Sequence, residues 1–149
     1  MGDTECVRTL IRAFDTSKRS EIDAAWALAE SMPGDLLAFL AKTLPKIPKS
    51  AARASIMRYA GRFSRDSDVA FNMGVLATRD RSYAVRHYGC ASLAYSLRTA
   101  ALPVLAPLLA HQDPRTIADA KAAIDAIRRQ NHNFFKDRRH TGKILWSYA

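Results

Sequence analysis

Cysteine is scarce in this chain, which contains only Cys6 and Cys90. Two distant thiols do not form the disulfide framework of a small secreted protein. Neither belongs to a CxxC pair, and the four histidines lack the HxH or HExxH spacing of zinc ligands. These absences argue against a disulfide-rich or zinc-binding domain. We expect two reduced thiols, as in a cytoplasmic protein, and no cofactor.

Long apolar runs are also missing. No stretch approaches the roughly 20 apolar residues that a membrane-spanning helix needs. The first six residues lack the basic segment and apolar core of a secretory signal, and Cys6 stands where a myristoylation pattern requires Ser or Thr. Glycine-rich phosphate loops are absent as well. We therefore expect a cytoplasmic location, with no membrane partner and no evident small-molecule substrate.

The remaining composition is typical of a helical domain. The chain has 149 residues, of which 48% are apolar and 25% are charged, with only six glycines and six prolines. Ala, Leu, Arg and Lys favour helix and are plentiful, whereas residues that favour strands are sparse. This composition predicts one globular all-α domain over residues 1–149.

A spacing of 33 residues recurs in the second half of the chain. Asp80 begins DRSYAVR and Asp113 begins DPRTIAD, and small apolar residues follow both in register. Such a period is typical of stacked helical repeats. Three helices are expected near the N-terminus, the third capped by Asp35. Regular helices are then predicted over residues 50–64, 67–78, 81–97, 100–110 and 114–130, with caps at Ser50, Asp66, Asp80, Thr99 and Asp113 and a bend at Pro107.

Residues 131–149 differ in pattern from the repeats. Asn131 and the residues after it stop the last helix, and Ile144, Trp146 and Tyr148 then alternate with other residues at a period of two. This pattern predicts a small hairpin or extended segment that caps the open end of the stack. A short amphipathic helix is the alternative.

The segment from Asp80 through Val85-Arg86 to Leu93, followed by residues 101–113, resembles the HEAT repeat, especially its short bacterial form. The resemblance covers about residues 50–130 and implies an all-α, right-handed superhelix of about eight helices. It places Arg53 at the position that Arg86 occupies one unit later. The next equivalent position is Asp119, which departs from the family's arginine ladder. Asp119 and Asp125 are expected on an exposed face of the last helix.

The resemblance is specific for fold and carries little about function. The metal-dependent hydroxylases of the HEAT class carry His-Glu pairs, which this chain lacks, and the alkylpurine glycosylases built from such repeats are longer. Small helical-repeat proteins of this size also occur as immunity partners of bacterial toxins, and the tail from Asn131 to Lys143 resembles tails of that group. The resemblance therefore implies a non-catalytic immunity or adaptor protein.

Positive charge is the sharpest functional signal. The chain has 23 basic and 14 acidic residues, a net charge of +9, and the basic residues concentrate in residues 49–65, 79–98 and 128–143. Equivalent helices lie side by side in a repeat stack, so we expect these blocks to form one basic face that binds an acidic protein partner. The predicted binding residues are Arg53, Arg58, Arg62, Arg65, Arg86, Arg128, Arg129, Arg138 and Arg139.

Other interpretations of the same residues stay open. The first is that the basic residues form a solvated face that keeps the protein soluble, with Arg53 and Arg86 engaged in structural pairs between repeats. Nucleic-acid binding is the functional alternative, because aromatic residues lie near the basic blocks and bases stack on rings. A catalytic group would require His132, His140 and Asp137 to converge, or Cys90 to react beside His87. We expect no enzymatic activity and no metal site.

Overall fold

The computed structural model describes residues 2–148, and all regular secondary structure in this part of the chain is helical, without a strand. The all-α prediction is confirmed. Short 3-10 turns extend or connect the helices. The eight α-helices of the described residues are α1 (Asp3–Phe14), α2 (Arg19–Ser31), α3 (Leu36–Thr43), α4 (Ser50–Ala60), α5 (Asp68–Ala77), α6 (Tyr83–Ser96), α7 (Leu102–Leu105) and α8 (Pro114–Arg128).

The chain divides into two compact units, and the division falls inside α4, between Ile56 and Met57. The prediction of a single domain over 1–149 stays a prediction. In the first unit α1 presents apolar side chains at helical spacing, and Leu10 and Phe14 are fully buried. The Phe14 ring meets Trp26 of α2 edge-on at 5.2 Å. Asp35 caps α3 as predicted, because its side chain accepts a hydrogen bond from the Ala38 amide.

The 33-residue period reappears in the way two buried arginines are held. Arg53 Nη1 donates to the carbonyl oxygens of Ile47 and Pro48, six and five residues before it. Arg86 Nη1 donates to the carbonyl oxygens at positions 80 and 81, again six and five residues before it. The two guanidinium groups thus perform the same local task, fixing the turn that enters α4 and the turn that enters α6.

In the second unit α6 packs against both α5 and α8. Its contact with α5 depends on Gly89, where an added Cβ would lie 2.7 Å from the backbone nitrogen of Thr78. The absence of a side chain therefore lets two helix backbones approach closely. The buried apolar core of this unit consists of Phe71, Cys90, Ala91, Leu93, Ala94, Ala101, Leu105, Leu108, Ala120, Ala122, Ala123, Ala126, Ile127 and Phe135.

Several predicted boundaries and caps are wrong by a few residues. Asp113 caps α8 as predicted, but the cap of α5 is Ser67, whose hydroxyl accepts from the Ala70 amide, and not Asp66. Asp80 lies before α6 and its carboxylate accepts from the Ser82 amide instead of capping the helix. The helix predicted over 100–110 is broken into a turn, the four-residue α7 and the 3-10 segment Ala106–Ala110. Pro107 lacks the N–H that would continue α7.

The predicted C-terminal hairpin is not formed within the described residues. The C-terminal segment begins with a 3-10 turn, His132–Phe135, and residues 143–148 run without regular structure. Trp146 and Tyr148 pack on the core of the second unit, whereas Ile144 and Leu145 are exposed. Of the three apolar residues that alternate at a period of two, only Trp146 and Tyr148 therefore pack on the core.

Candidate anion-binding site

The predicted binding arginines fall into three classes according to burial. Arg53 and Arg86 are only 6% and 7% exposed, so their guanidinium groups belong to the structure and not to a docking surface. Arg65 is half-buried and donates twice to the Tyr95 carbonyl. The exposed members are Arg58, Arg62, Arg128, Arg129, Arg138 and Arg139.

One cavity of about 310 Å³ gathers cationic and aromatic side chains from three separate parts of the second unit. Arg58 comes from α4, His87 and Tyr88 come from α6, and Lys136 follows the 3-10 turn near the C-terminus. The remaining lining residues are Ala91, Trp146, Ser147 and Tyr148. Arg58 and Lys136 are both solvent-exposed, so the cavity is open at its cationic side.

The positive charge at this cavity is not neutralised by a neighbouring carboxylate. Within residues 2–148 neither the Arg58 guanidinium nor the Lys136 ammonium forms an ion pair or a side-chain hydrogen bond. The ammonium group of Lys136 lies 5.4 Å from the centroid of the Phe135 ring, and Arg138 lies over the same ring at 5.2 Å. Burial lowers the pKa of Lys136, and the charge of Arg138 lowers it further, against an opposing effect of Asp119. The site therefore carries an excess of positive charge.

Behind the cavity, Asp119 holds His87 in one orientation. Asp119 is 3% exposed and accepts hydrogen bonds from His87 Nδ1 at 2.9 Å, Arg138 at 2.8 Å and the Tyr83 hydroxyl at 3.0 Å. Burial raises the pKa of Asp119, but the hydrogen bonds from His87 and Arg138 outweigh it and lower the pKa below its usual value. The acceptor role of the carboxylate places a proton on Nδ1, which leaves Nε2 as the His87 nitrogen without a partner.

The expectation that Asp119 and Asp125 form an exposed face is wrong for Asp119 and only half right for Asp125. Asp125 is partly exposed and pairs with Arg129 and His140. Asp119, which stands 33 residues after Arg86, instead turns inward. Its carboxylate collects donors from α6 and from the C-terminal segment.

The tail that forms one wall of the cavity is fixed by several polar contacts. The Trp146 amide donates to Asn133 Oδ1 at 2.8 Å, and the Trp146 carbonyl accepts from His132 Nε2 at 2.7 Å. The other ring nitrogen of His132 accepts from Arg65 at 3.1 Å. Tyr148 is seated against Gly61, where an added Cβ would lie 2.5 Å from its ring. The aromatic wall is thus part of the folded unit.

The other predicted basic residues do not all join this site. Arg62 lies over the Tyr59 ring at 5.0 Å, and Arg129 is paired with Asp125 at 2.8 Å. Arg128 lines a separate groove of about 280 Å³ with Leu102 and Leu109, and Arg139 is exposed. Of the predicted arginines only Arg58 lines the cavity. Arg138 donates to Asp119, the carboxylate that also holds His87. Sequence reasoning placed Lys136 in a basic block but did not select it, and its only signal was its position between Phe135 and Arg138.

The side chains of His132, His140 and Asp137, considered for catalysis, each bond to other partners. His132 bonds to the tail and Arg65, and His140 stacks on Phe134 with ring centroids 4.0 Å apart. The Asp137 carboxylate accepts from the amides of Thr141 and Gly142 and from the Thr141 hydroxyl. No hydrogen bond within the described residues joins either imidazole to the Asp137 carboxylate.

The second catalytic candidate, Cys90, is fully buried. Burial raises the pKa of the Cys90 thiol to about 12, and the charge of Asp119 adds to this effect. A thiol with so little thiolate at neutral pH is a poor nucleophile. Its place in the apolar core accounts for it as a packing residue.

Residues 2–148 contain no group of three or more His, Cys, Asp or Glu side chains arranged to hold a metal ion. Among the helices of this part, none has both the length and the apolar character needed to cross a membrane. Comparison with known protein families, curated proteins and solved structures gives no match to this chain.

Proposed function

We propose that this protein is a non-catalytic, HEAT-like binding scaffold that docks an acidic protein partner on the basic side of its second unit, in an immunity or adaptor role. The observation that carries the proposal is the cavity at which Arg58 and Lys136 stand exposed without a carboxylate partner. Unpaired cations at a surface gain most from an incoming carboxylate, because no internal ion pair has to be broken first.

The HEAT-like part of the proposal draws support from the repeated arginine geometry. Arg53 and Arg86 bond to the same two relative carbonyl positions. Arg86 also reaches the next helical segment, because it donates to the Thr116 hydroxyl at 3.0 Å and to Asp113 at 3.2 Å. In a stacked repeat protein, an arginine that bonds to the next repeat helps to fix the spacing between the two repeats.

The acidic partner would meet both charge and aromatic surface. Arg58 offers a planar fork of donors that suits a carboxylate, and Lys136 offers a compact ammonium. Trp146 supplies a ring of the kind that serves as an anchor in protein interfaces. The net charge of +9 adds long-range attraction for an acidic protein.

Nucleic-acid binding is the second candidate, and one observation favours it. Tyr88 and Trp146 line the same cavity as Arg58 and Lys136, and single-stranded nucleic acids bind to such combinations of rings and cations. Its signature is affinity for random oligonucleotides that falls steeply as salt concentration rises.

The test is affinity capture from the native host with the wild-type protein and with the double variant Arg58→Glu/Lys136→Glu. The matched control is Arg79→Glu/Lys143→Glu, which makes the same change in net charge at exposed positions that do not line the cavity. We expect an acidic protein to be retained by the wild type and the control and lost by the cavity variant. Equal capture by both variants refutes the proposal, and tight binding of random oligonucleotides that the cavity variant loses transfers the function to nucleic acid.

A further inference from the structure

We propose that the cavity between α6 and the C-terminal tail binds a phosphate monoester as its dianion. The inference goes beyond the protein-docking role, because it concerns a small ligand and holds whether or not an acidic partner docks at the same side chains. It starts from the size of the cavity, about 310 Å³, which lies at the lower end of the range of small-molecule sites, roughly 300–1,000 Å³.

The donors at the cavity suit three oxygens better than two. Arg58 brings a guanidinium whose planar fork can donate to two oxygens, and Lys136 brings an ammonium that can donate to a third. These two groups come from separate elements and line one space. A carboxylate has two oxygens and one charge, whereas a phosphate monoester presents three terminal oxygens and close to two charges at neutral pH. The phosphate therefore uses the whole donor set.

The electrostatic balance of the site favours the same ligand. Lys136 and Arg138 both lie over the ring of Phe135, and the buried carboxylate whose charge acts on Lys136, Asp119, is already occupied by three donors. A dianion placed against Arg58 and Lys136 supplies the missing negative charge in partly buried surroundings, where such an interaction is less screened than at an open surface.

The aromatic walls indicate what the phosphate carries. Tyr88 and Trp146 line the cavity beside the cations, and flat rings stack on such side chains. Trp146 is held by both its amide and its carbonyl, so its indole is positioned before a ligand arrives. The ligand class is therefore a phosphate monoester with a planar group, such as a nucleoside monophosphate.

The experiment is isothermal titration calorimetry on the full chain with three probes, namely inorganic phosphate, adenosine 5′-monophosphate and adenosine. Variants Arg58→Gln and Lys136→Gln remove one cation each. Arg79→Gln is the control, since Arg79 is exposed and is not among the lining residues. Thermal unfolding of every variant establishes that it is folded.

We expect saturable binding of both phosphate probes and none of adenosine. Arg58→Gln and Lys136→Gln should each weaken binding at least about tenfold, the value of one charge-assisted hydrogen bond, and Arg79→Gln should leave it unchanged. Tighter binding of the nucleotide than of phosphate supports the role of the rings, and equal binding supports a site for the phosphate group alone. The inference is overturned if neither phosphate probe binds, if adenosine binds as well as its monophosphate, or if folded Arg58→Gln and Lys136→Gln bind like Arg79→Gln. None of these outcomes depends on capture of a protein partner.

Discussion

Replacing Asp119 by asparagine tests the network that supports the cavity. The carboxylate accepts three hydrogen bonds from Tyr83, His87 and Arg138, and an asparagine has one acceptor oxygen and an NH₂ group that opposes a donor. Removing one partner of a fully buried ion pair costs about 3–5 kcal/mol. Here Arg138 is 41% exposed and recovers part of its hydration, so we expect Asp119→Asn to lower the free energy of unfolding by about 2–4 kcal/mol.

The assay is thermal unfolding followed by circular dichroism. At about 2–4 °C per kcal/mol, the expected fall in Tm is about 4–16 °C. Asp68→Asn is the control, because Asp68 forms a shorter ion pair, 2.7 Å to Arg98, but its side chain is 89% exposed. That control should lower Tm by less than about 3 °C. Equal shifts for the two variants would refute the reasoning that burial and the number of donors decide the cost.

Two further perturbations address the packing of α6 and the pinning of the tail. Gly89→Ala should cost about 1–3 kcal/mol in denaturant unfolding, because its Cβ meets the backbone of Thr78. Gly2→Ala has nothing within 4 Å of the new Cβ and should cost less than about 1 kcal/mol, the small loss coming from the N-cap position of Gly2 in α1. Burial lowers the pKa of His132 below its ordinary 6.5, and the charge of Arg65 lowers it further, against the Trp146 carbonyl. As pH falls, His132 is therefore protonated in the unfolded chain before it is protonated in the folded one. The free energy of unfolding should be constant above about pH 6.5 and fall below it, with a smaller fall in His132→Gln. Identical pH profiles for the wild type and His132→Gln would contradict this assignment.

The local features of the fold were largely readable from the sequence. The helical composition, the caps Asp35 and Asp113, and the equivalence of Arg53 and Arg86 all follow from short-range patterns, and the contacts agree with each of them. The failures are local as well. Ser67 caps α5 because its own backbone is extended. Asp66 and Ser67 are neighbouring residues that both favour the N-cap position, and the sequence alone does not show which of them caps the helix.

The cavity was beyond reach of the sequence for a different reason. Arg58 and Lys136 are brought together only because the tail returns across α6, and no short-range pattern encodes that contact. The sequence did single out Asp119, because it lies 33 residues after Arg86, at the equivalent position of the repeat spacing. Its meaning depended on knowing that His87 and Arg138 would face it.

The two walls of the cavity differ in how they are built, and this has a thermodynamic consequence. One wall is a packed helix, α6, and the other is a strand-free tail held mainly through Asn133 and His132. An occupant that touches both walls is coupled to docking of the tail, and the coupling is reciprocal: what tightens the occupant tightens the tail by the same factor. Docking of the C-terminal tail should therefore respond to the binding of any ligand beside Arg58.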